Sequence, residues 1–469
     1  MSWSVVLMTT RGNFNTGRSE LITMMLLVLA LALSSGHLSS KDTLKTKEFA
    51  LDNGLRVFLY ERHTIPLVNL AFAFNIGSKD ESDETSGLVH MLEHYVLFRG
   101  TEFRSGDEIS QQIRQHGAYV NAHTEYDLSV FDISLPSRHV DFALSNHREI
   151  LFNLKITQEE LDQEKEVILE EINQVLDDPL RYSTSLVYQN LFQNHPYQRP
   201  VYGKTEVIEN VTVAQMEHFY KKHFVPSNCA LAVVGDFQMD EMEKKIRGVF
   251  SGLQGEPFSS PHYDKAALLE DKHEVKKEMD VKQAYLVLGF MGPDYRDKDQ
   301  FALDLLSEIL GRGLNPTLNH PLLERRIYVN TLTMNYTAHK YGGAILIYII
   351  LEPKHVKTAQ RLIHNYLKTT RSMNYSANDY IGDERFRATD YLQCAKNSIR
   401  FKLHRAQEKG LHLATSIARH MHLAEGTAPI NFLEEIEKLD STDLRRAAQK
   451  YLTKSDYIIV TITPKEDTP

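Results

Sequence analysis

The chain has 469 residues, 42% of them hydrophobic and 25% charged, which excludes collagen-like and wholly disordered architectures and allows two to four domains of about 100–200 residues. Its 53 Lys and Arg against 62 Asp and Glu give a formal charge of −9, so there is no cationic excess to neutralise a phosphate backbone, and nucleic acid is not an expected partner. Only Cys229 and Cys394 are present, which sets aside Cys-ligated zinc and iron–sulfur sites and leaves His and carboxylates as candidate metal ligands.

Residues 1–40 read as a leader. The apolar run Leu21–Leu33 is 13 residues long, short of the ~20 that span a bilayer, so no stable membrane span is expected. Arg11 and Arg18 precede it and Ser34-Ser35-Gly36 follows, the order of a signal peptide, and export to a periplasm or the exterior is the expectation; an organellar presequence is the alternative.

Residues 41–252 alternate strand and helix. Lys47–Leu51, the turn Asp52-Asn53-Gly54 and Leu55–Tyr60 form a hairpin pattern, and Leu67–Phe74 is a further β-prone run. Gly87–Leu97 carries apolar residues at helical spacing, and Ile109–Gly117 is a second helix. Strands near Ala118–Ala122 and Leu128–Leu135 precede helices at Val140–Asn153 and from Thr157 to Leu176, where Thr157 and Glu160 match a capping box. Thr212 caps Val213–Lys222, Cys229–Val234 is a buried strand and Met239–Phe250 a helix. Residues 253–272, rich in Gly, Pro, Ser and charge, read as a linker.

Residues 273–469 restart the pattern. Ala284–Phe290 runs through Gly292-Pro293 into the helix Phe301–Leu310, as Leu70–Ile76 runs through Gly77 into Gly87–Leu97, and Tyr457–Ile462 matches Cys229–Val234. The expected fold is α+β: two related α/β domains from a duplicated unit of mixed sheet and helices. Ser398–Ala424 reads as one long helical stretch with His404, His412, His420 and His422 on a solvated face, and the chain from Thr463 reads as a tail.

The chemistry concentrates at His90-Met91-Leu92-Glu93-His94. Positions i, i+3 and i+4 share a helix face, so two imidazoles could grip one zinc ion with a carboxylate beside its water. A third ligand is wanted; the helix after Thr157 offers Glu164, Glu166, Glu170 and Glu171, and spacing does not choose among them.

These residues resemble the pitrilysin/insulinase family of zinc endopeptidases, in the compact branch that includes the mitochondrial processing peptidases. Its pattern is His-x-x-Glu-His with a ligand Glu 77 positions later, which falls on Glu171. Gly87–Thr101, Gly117–Thr124, His195-Pro-Tyr197 and Val234-Gly-Asp236 also match in order. The resemblance implies two domains facing each other across a cavity, one Zn2+ per chain on His90, His94 and Glu171, Glu93 as catalytic base and Glu164 as an auxiliary acid. It further implies a peptide substrate paired to an edge strand at Asn121 and Ala122. Asp304-Leu-Leu-Ser-Glu308 stands where the second domain would repeat the metal motif.

One departure bears on assembly. Self-sufficient members carry an Arg and a Tyr in the second domain; Arg326 fits the first, but Asn330 stands near the Tyr position, leaving another group such as Tyr336, or a partner, to supply it. The expectation is a zinc-bearing endopeptidase subunit paired with a related metal-free subunit, or a homodimer. A non-catalytic scaffold of the same fold is the competing reading.

Overall fold

The computed structural model describes residues 45–267, 269, 271–313, 316–376, 390–424, 432–452 and 457–465; the leader lies outside them. A six-stranded sheet contains β1 (Lys45–Ala50), β2 (Arg56–Glu61), β3 (Leu67–Phe74), β4 (Tyr119–Thr124), β5 (Ser129–Pro136) and β6 (Cys229–Gly235) in the order β1-β2-β6-β3-β5-β4. A five-stranded sheet contains β7 (His273–Met279), β8 (Ala284–Gly292), β9 (Val329–His339), β10 (Gly342–Leu351) and β11 (Tyr457–Pro464) in the order β7-β11-β8-β10-β9. The Asp52-Asn53-Gly54 turn joins β1 to β2 in antiparallel register, Lys45 opposite Glu61.

The duplication is visible strand for strand. Without β1, the first sheet reads β2-β6-β3-β5-β4, and each strand has its counterpart at the same place and in the same chain order in the second. The one parallel pair of the first sheet, β2 with β6, corresponds to the one parallel pair of the second, β7 with β11. All other neighbours are antiparallel.

Helices α1 (Leu88–Phe98), α2 (Gln158–Asp177) and α3 (Pro179–Leu191) belong to the first half, and α4 (Asp299–Ser307), α5 (Tyr391–Gln407) and α6 (Gly410–Leu423) to the second. Residues 252–267 carry no helix or strand. Side chains alternate across β3, so Val68, Leu70, Phe72 and Phe74 enter one core with α1. Ala71 and Ala73 face the other way, and with Val130, Ala230, Ala232 and Val234 they form a small-residue floor. On that floor lie Leu413, Ala414, Ile417, Ala418 and Met421 of α6, a helix from the opposite half. The exchange is reciprocal: Leu186, Val187 and Leu191 of α3 pack on Val287, Leu346, Ile458 and Val460 of the second sheet. Each half therefore completes the other's sheet.

Two expectations change here. The stretch Ser398–Ala424 is two helices, broken at Glu408-Lys409, where Lys409 adopts extended backbone (ψ 99°). His404 is exposed as expected, but His422 is buried, its Nε2 bonded to Ala73 O at 2.9 Å and its Nδ1 accepting from Arg56 at 2.8 Å. His420 bonds the Tyr295 hydroxyl at 3.0 Å. The groups that bury His422 come from the other half, which local periodicity does not encode, whereas the Tyr295 that holds His420 belongs to its own half. Thr463 and Pro464, read as tail, continue β11 against β7.

The β4–β5 and β9–β10 turns meet at the junction of the halves. The buried Asp127 carboxylate accepts from Tyr197 Oη at 2.6 Å and Lys340 N at 3.0 Å, and the Lys79 ammonium donates to its carbonyl at 2.9 Å. Glu125 pairs with Arg419 of α6.

Candidate metal centre

Helix α1 is apolar on most of its surface, and Leu88, Val89, Met91, Leu92, Tyr95 and Val96 are buried. At roughly 1.5–3 kcal/mol per buried large side chain, this packing fixes the helix against β3 and β4. Its start is set by backbone contact: Gly87 has φ 101°, and a Cβ on Gly203 would come within 2.5 Å of Gly87 Cα. The carboxylate of Glu81 reaches back to accept from Gly87 N and Val89 N at 2.8 and 2.9 Å, satisfying N–H groups that a helix start leaves open. Burial pushes Glu81 up to about 8 despite these two bonds.

His90 and His94 project one turn apart, ring centroids 4.7 Å apart. Glu171 comes from α2, and its Oε2 lies 3.6 Å from His90 Nε2 and 3.5 Å from His94 Nε2. One donor atom from each of the three residues falls within 4.8 Å of the other two. A tetrahedral ion with bonds of ~2.0–2.2 Å holds its donors roughly 3.3–3.6 Å apart, so the Glu171–imidazole separations fit a shared divalent cation. Of the four acids that spacing left open, the fold brings Glu171 to the imidazoles.

Glu164, one α2 face and two turns earlier, is 1% exposed. Its Oε1 bonds His94 Nδ1 at 2.7 Å, and Arg99 Nε donates to its Oε2 at 2.6 Å. The bond to an ionised carboxylate places the proton on Nδ1 and turns Nε2 towards Glu171. Burial disfavours the His94 cation, but hydrogen bonds to Glu164 and Glu171 outweigh it and hold His94 up at about 10 without metal. Burial likewise raises Glu164 and Glu171, and the neighbouring His94 reverses this and lowers both. A bound cation would take the place of the His94 Nε2 proton. Among the described residues no other group of three His, Cys, Asp or Glu converges in this way.

With this geometry, the comparisons decide the family. A model described as insulinase (peptidase family M16) matches residues 56–205, and one described as the peptidase M16 inactive domain matches residues 210–380. The chain belongs to the pitrilysin/insulinase family. A Rickettsia felis relative named as an uncharacterized zinc protease is 26% identical over 85% of this chain and 93% of its own length. A probable mitochondrial-processing peptidase subunit beta of Arabidopsis thaliana is 22% identical over 93% of this chain and 81% of its own. In fold, the chain matches the crystal structure of a protease from Helicobacter pylori with TM-score 0.82 at 22% identity, covering 90% of this chain and all of that one.

Of the remaining site expectations, Asn121 and Ala122 lie on β4, which is an edge of the first sheet. Asn121 is exposed and stands opposite Asp132 of β5. Glu93 is half-buried on α1. Arg326 is on an exposed turn after the short helix His320–Glu324, in left-handed backbone with φ 55°. Tyr336 is buried and its hydroxyl donates to Pro293 O at 2.8 Å, which removes it from consideration as a substrate-polarising group. Arg99 and Glu81 were not singled out from sequence; the only local sign of Arg99 is its place immediately after the ligand helix.

Proposed function

We propose that this protein is a zinc-dependent endopeptidase acting on extended peptides or unfolded segments, and that it is the zinc-bearing subunit of a dimer with a related, metal-free chain. The observation that carries the reading is the convergence of His90, His94 and Glu171, with Glu93 about one turn after His90 and next to His94 on the same helix. His90, His94 and Glu171 would hold a divalent ion, which would supply Lewis acidity and lower the pKa of water at the site. The Glu93 carboxylate takes the proton of the attacking water and returns it to the leaving amide nitrogen. Glu164 holds His94 in the productive tautomer. The outer edge of β4 carries no Asp, Glu, Lys or Arg, unlike β1 and β7, whose outer edges are charged; an uncharged edge suits an added peptide strand.

The partner is supported by what the second half offers, since Tyr336 is committed to Pro293 and Asn330 stands near the family's Tyr position. Export is supported by the Leu21–Leu33 run behind Arg11 and Arg18, and fractionation of the full chain tests it.

The test is cleavage of an unstructured peptide library by the purified chain, with metal read by elemental analysis. About one zinc with cleavage abolished in Glu93→Gln, metal retained, supports the peptidase; cleavage by the chain alone removes the partner. One zinc without cleavage until a related chain is added supports both parts. Absence of zinc overturns the reading in favour of a scaffold.

A further inference from the structure

The two metal-bearing helices are joined by a second set of contacts, away from the ligands. Gly100 N donates to Glu160 Oε1 at 3.3 Å, Arg99 Nη1 donates to Gln163 Oε1 at 2.8 Å, and Arg99 Nε donates to Glu164 Oε2 at 2.6 Å. The other oxygen of the Glu164 carboxylate holds His94 Nδ1 at 2.7 Å. Glu160, Glu164 and Glu171 recur at intervals of four and seven residues, so they share one face of α2. Seven residues of helix advance ~10.5 Å. Fixing the first turns of α2 against the end of α1 therefore fixes where Glu171 meets the imidazoles two turns later.

Arg99 is where these contacts join. Its backbone N–H closes α1 by donating to Tyr95 O at 2.9 Å, so the guanidinium starts from the last rigid turn of the ligand helix. The side chain is 19% exposed and the Glu164 carboxylate it holds is 2% exposed. A carboxylate gripped on one oxygen by a planar guanidinium cannot rotate without losing its bond to the imidazole.

We propose that Arg99 is a positioning residue of the metal centre: through Glu164 it locks the His94 ring and the register of α2, and so sets the affinity and geometry with which a divalent cation is held. The inference rests on the peptidase reading only for its catalytic consequence; the metal itself is the readout.

The experiment compares full-length wild type, Arg99→Ala, Arg99→Lys and Gln163→Ala by Zn2+ affinity in chelator competition, by the visible absorption of the Co2+-loaded proteins, and by thermal unfolding of the metal-free forms. Partners that orient a metal-ligating His typically cost 10–100-fold in affinity when removed. The expected result is Zn2+ binding weakened by at least about 10-fold in Arg99→Ala with an altered Co2+ spectrum, a metal-free unfolding midpoint close to wild type, partial recovery in Arg99→Lys, and little change in Gln163→Ala. Wild-type affinity and spectrum in Arg99→Ala would overturn the proposal while leaving the peptidase reading intact. A loss of affinity that tracks a lowered unfolding midpoint and is not recovered by Lys would also overturn it, as a general loss of fold. A wild-type chain that binds no Zn2+ or Co2+ overturns both readings together.

Discussion

Two helices stand at matching points of the duplicated fold, α1 after β3 and α4 after β8, and the buried or part-buried acids gathered around each are answered differently. In the first half, the cation Arg99 goes to Glu164, and Glu171 stays 40% exposed beside two imidazoles. In the second half, Asp304 and Glu308 are buried to 2% and 3% exposure and are answered by cations of their own half. Arg312 lies 3.6 Å from Asp304 and 4.0 Å from Glu308, and Lys402 of α5 reaches Glu308 at 2.9 Å. Ser398 also donates to Glu308, at 2.5 Å. Buried carboxylates neutralised by neighbouring Lys and Arg are structural, whereas a part-exposed carboxylate that meets two imidazole nitrogens at 3.5 and 3.6 Å, the spacing of donors around one ion, is suited to share a cation with them.

The sharpest way to break this comparison is to remove one acid from each half. Glu171→Gln should abolish stoichiometric zinc while leaving the unfolding free energy of the metal-free protein nearly unchanged, because its side chain is half in water. Glu308→Gln should do the reverse: zinc content unchanged, and stability lowered by about 3 kcal/mol, since Lys402 and Arg312 lose a buried counter-charge. Elemental analysis and urea unfolding on the same samples read both. A Glu308→Gln protein that loses zinc, or a Glu171→Gln protein that keeps it, would erase the distinction between the halves.

A second pair of variants addresses the exchanged helices. Leu413 of α6 is 2% exposed on the first sheet, and Leu191 of α3 is 1% exposed on the second. Truncation to Ala should cost each about 2–3 kcal/mol through lost burial and the cavity left behind. Because each helix stands on the opposite half's sheet, both variants should still unfold in one calorimetric transition, shifted to lower temperature. Two transitions in either variant would show halves that unfold separately.

Much of this was written locally in the sequence. Alternation marked the strands, Asp52-Asn53-Gly54 marked the β1–β2 hairpin, and the i, i+3, i+4 spacing put His90, Glu93 and His94 on one face. The repeat of strand, turn and helix after Gly292 exposed the duplication. What periodicity could not supply were contacts made at long range. Glu171 is separated from His94 by a strand pair and two helices, so the helix after Thr157 presented four equivalent acids until the resemblance and then the fold chose one. Thr157 does cap α2 by accepting from Glu160 N, but the Glu160 carboxylate accepts from the Thr157 hydroxyl instead of its N–H, and its other oxygen accepts from Gly100 N. His422 of α6 looked solvated because the groups that bury it, Arg56 and Ala73, lie more than three hundred positions away.

That burial has a measurable consequence in acid, the smallest of the effects expected. Burial, reinforced by the positive charge of Arg56, holds His422 down at about 3, against an ordinary value near 6.5. The folded protein keeps His422 neutral while the unfolded chain takes up a proton below pH 6.5, so stability contributed by this site is complete above 6.5. It is lost as pH falls towards 3, at up to ~1.4 kcal/mol per pH unit. Between pH 7 and pH 5 the loss from this one group should approach ~2 kcal/mol. His422→Gln keeps a neutral side chain able to donate and accept hydrogen bonds but has nothing to titrate, and it should flatten the pH dependence of urea unfolding by about one proton. α3, the reciprocal helix, carries no histidine of its own and touches His339 through the Tyr188 hydroxyl at 3.0 Å; the depressed value of His422 makes α6 the helix expected to loosen first in acid. Hydrogen exchange at pH 5 resolves the two helices, and equal protection in both would show that His422 is not the acid-sensitive point of the exchange.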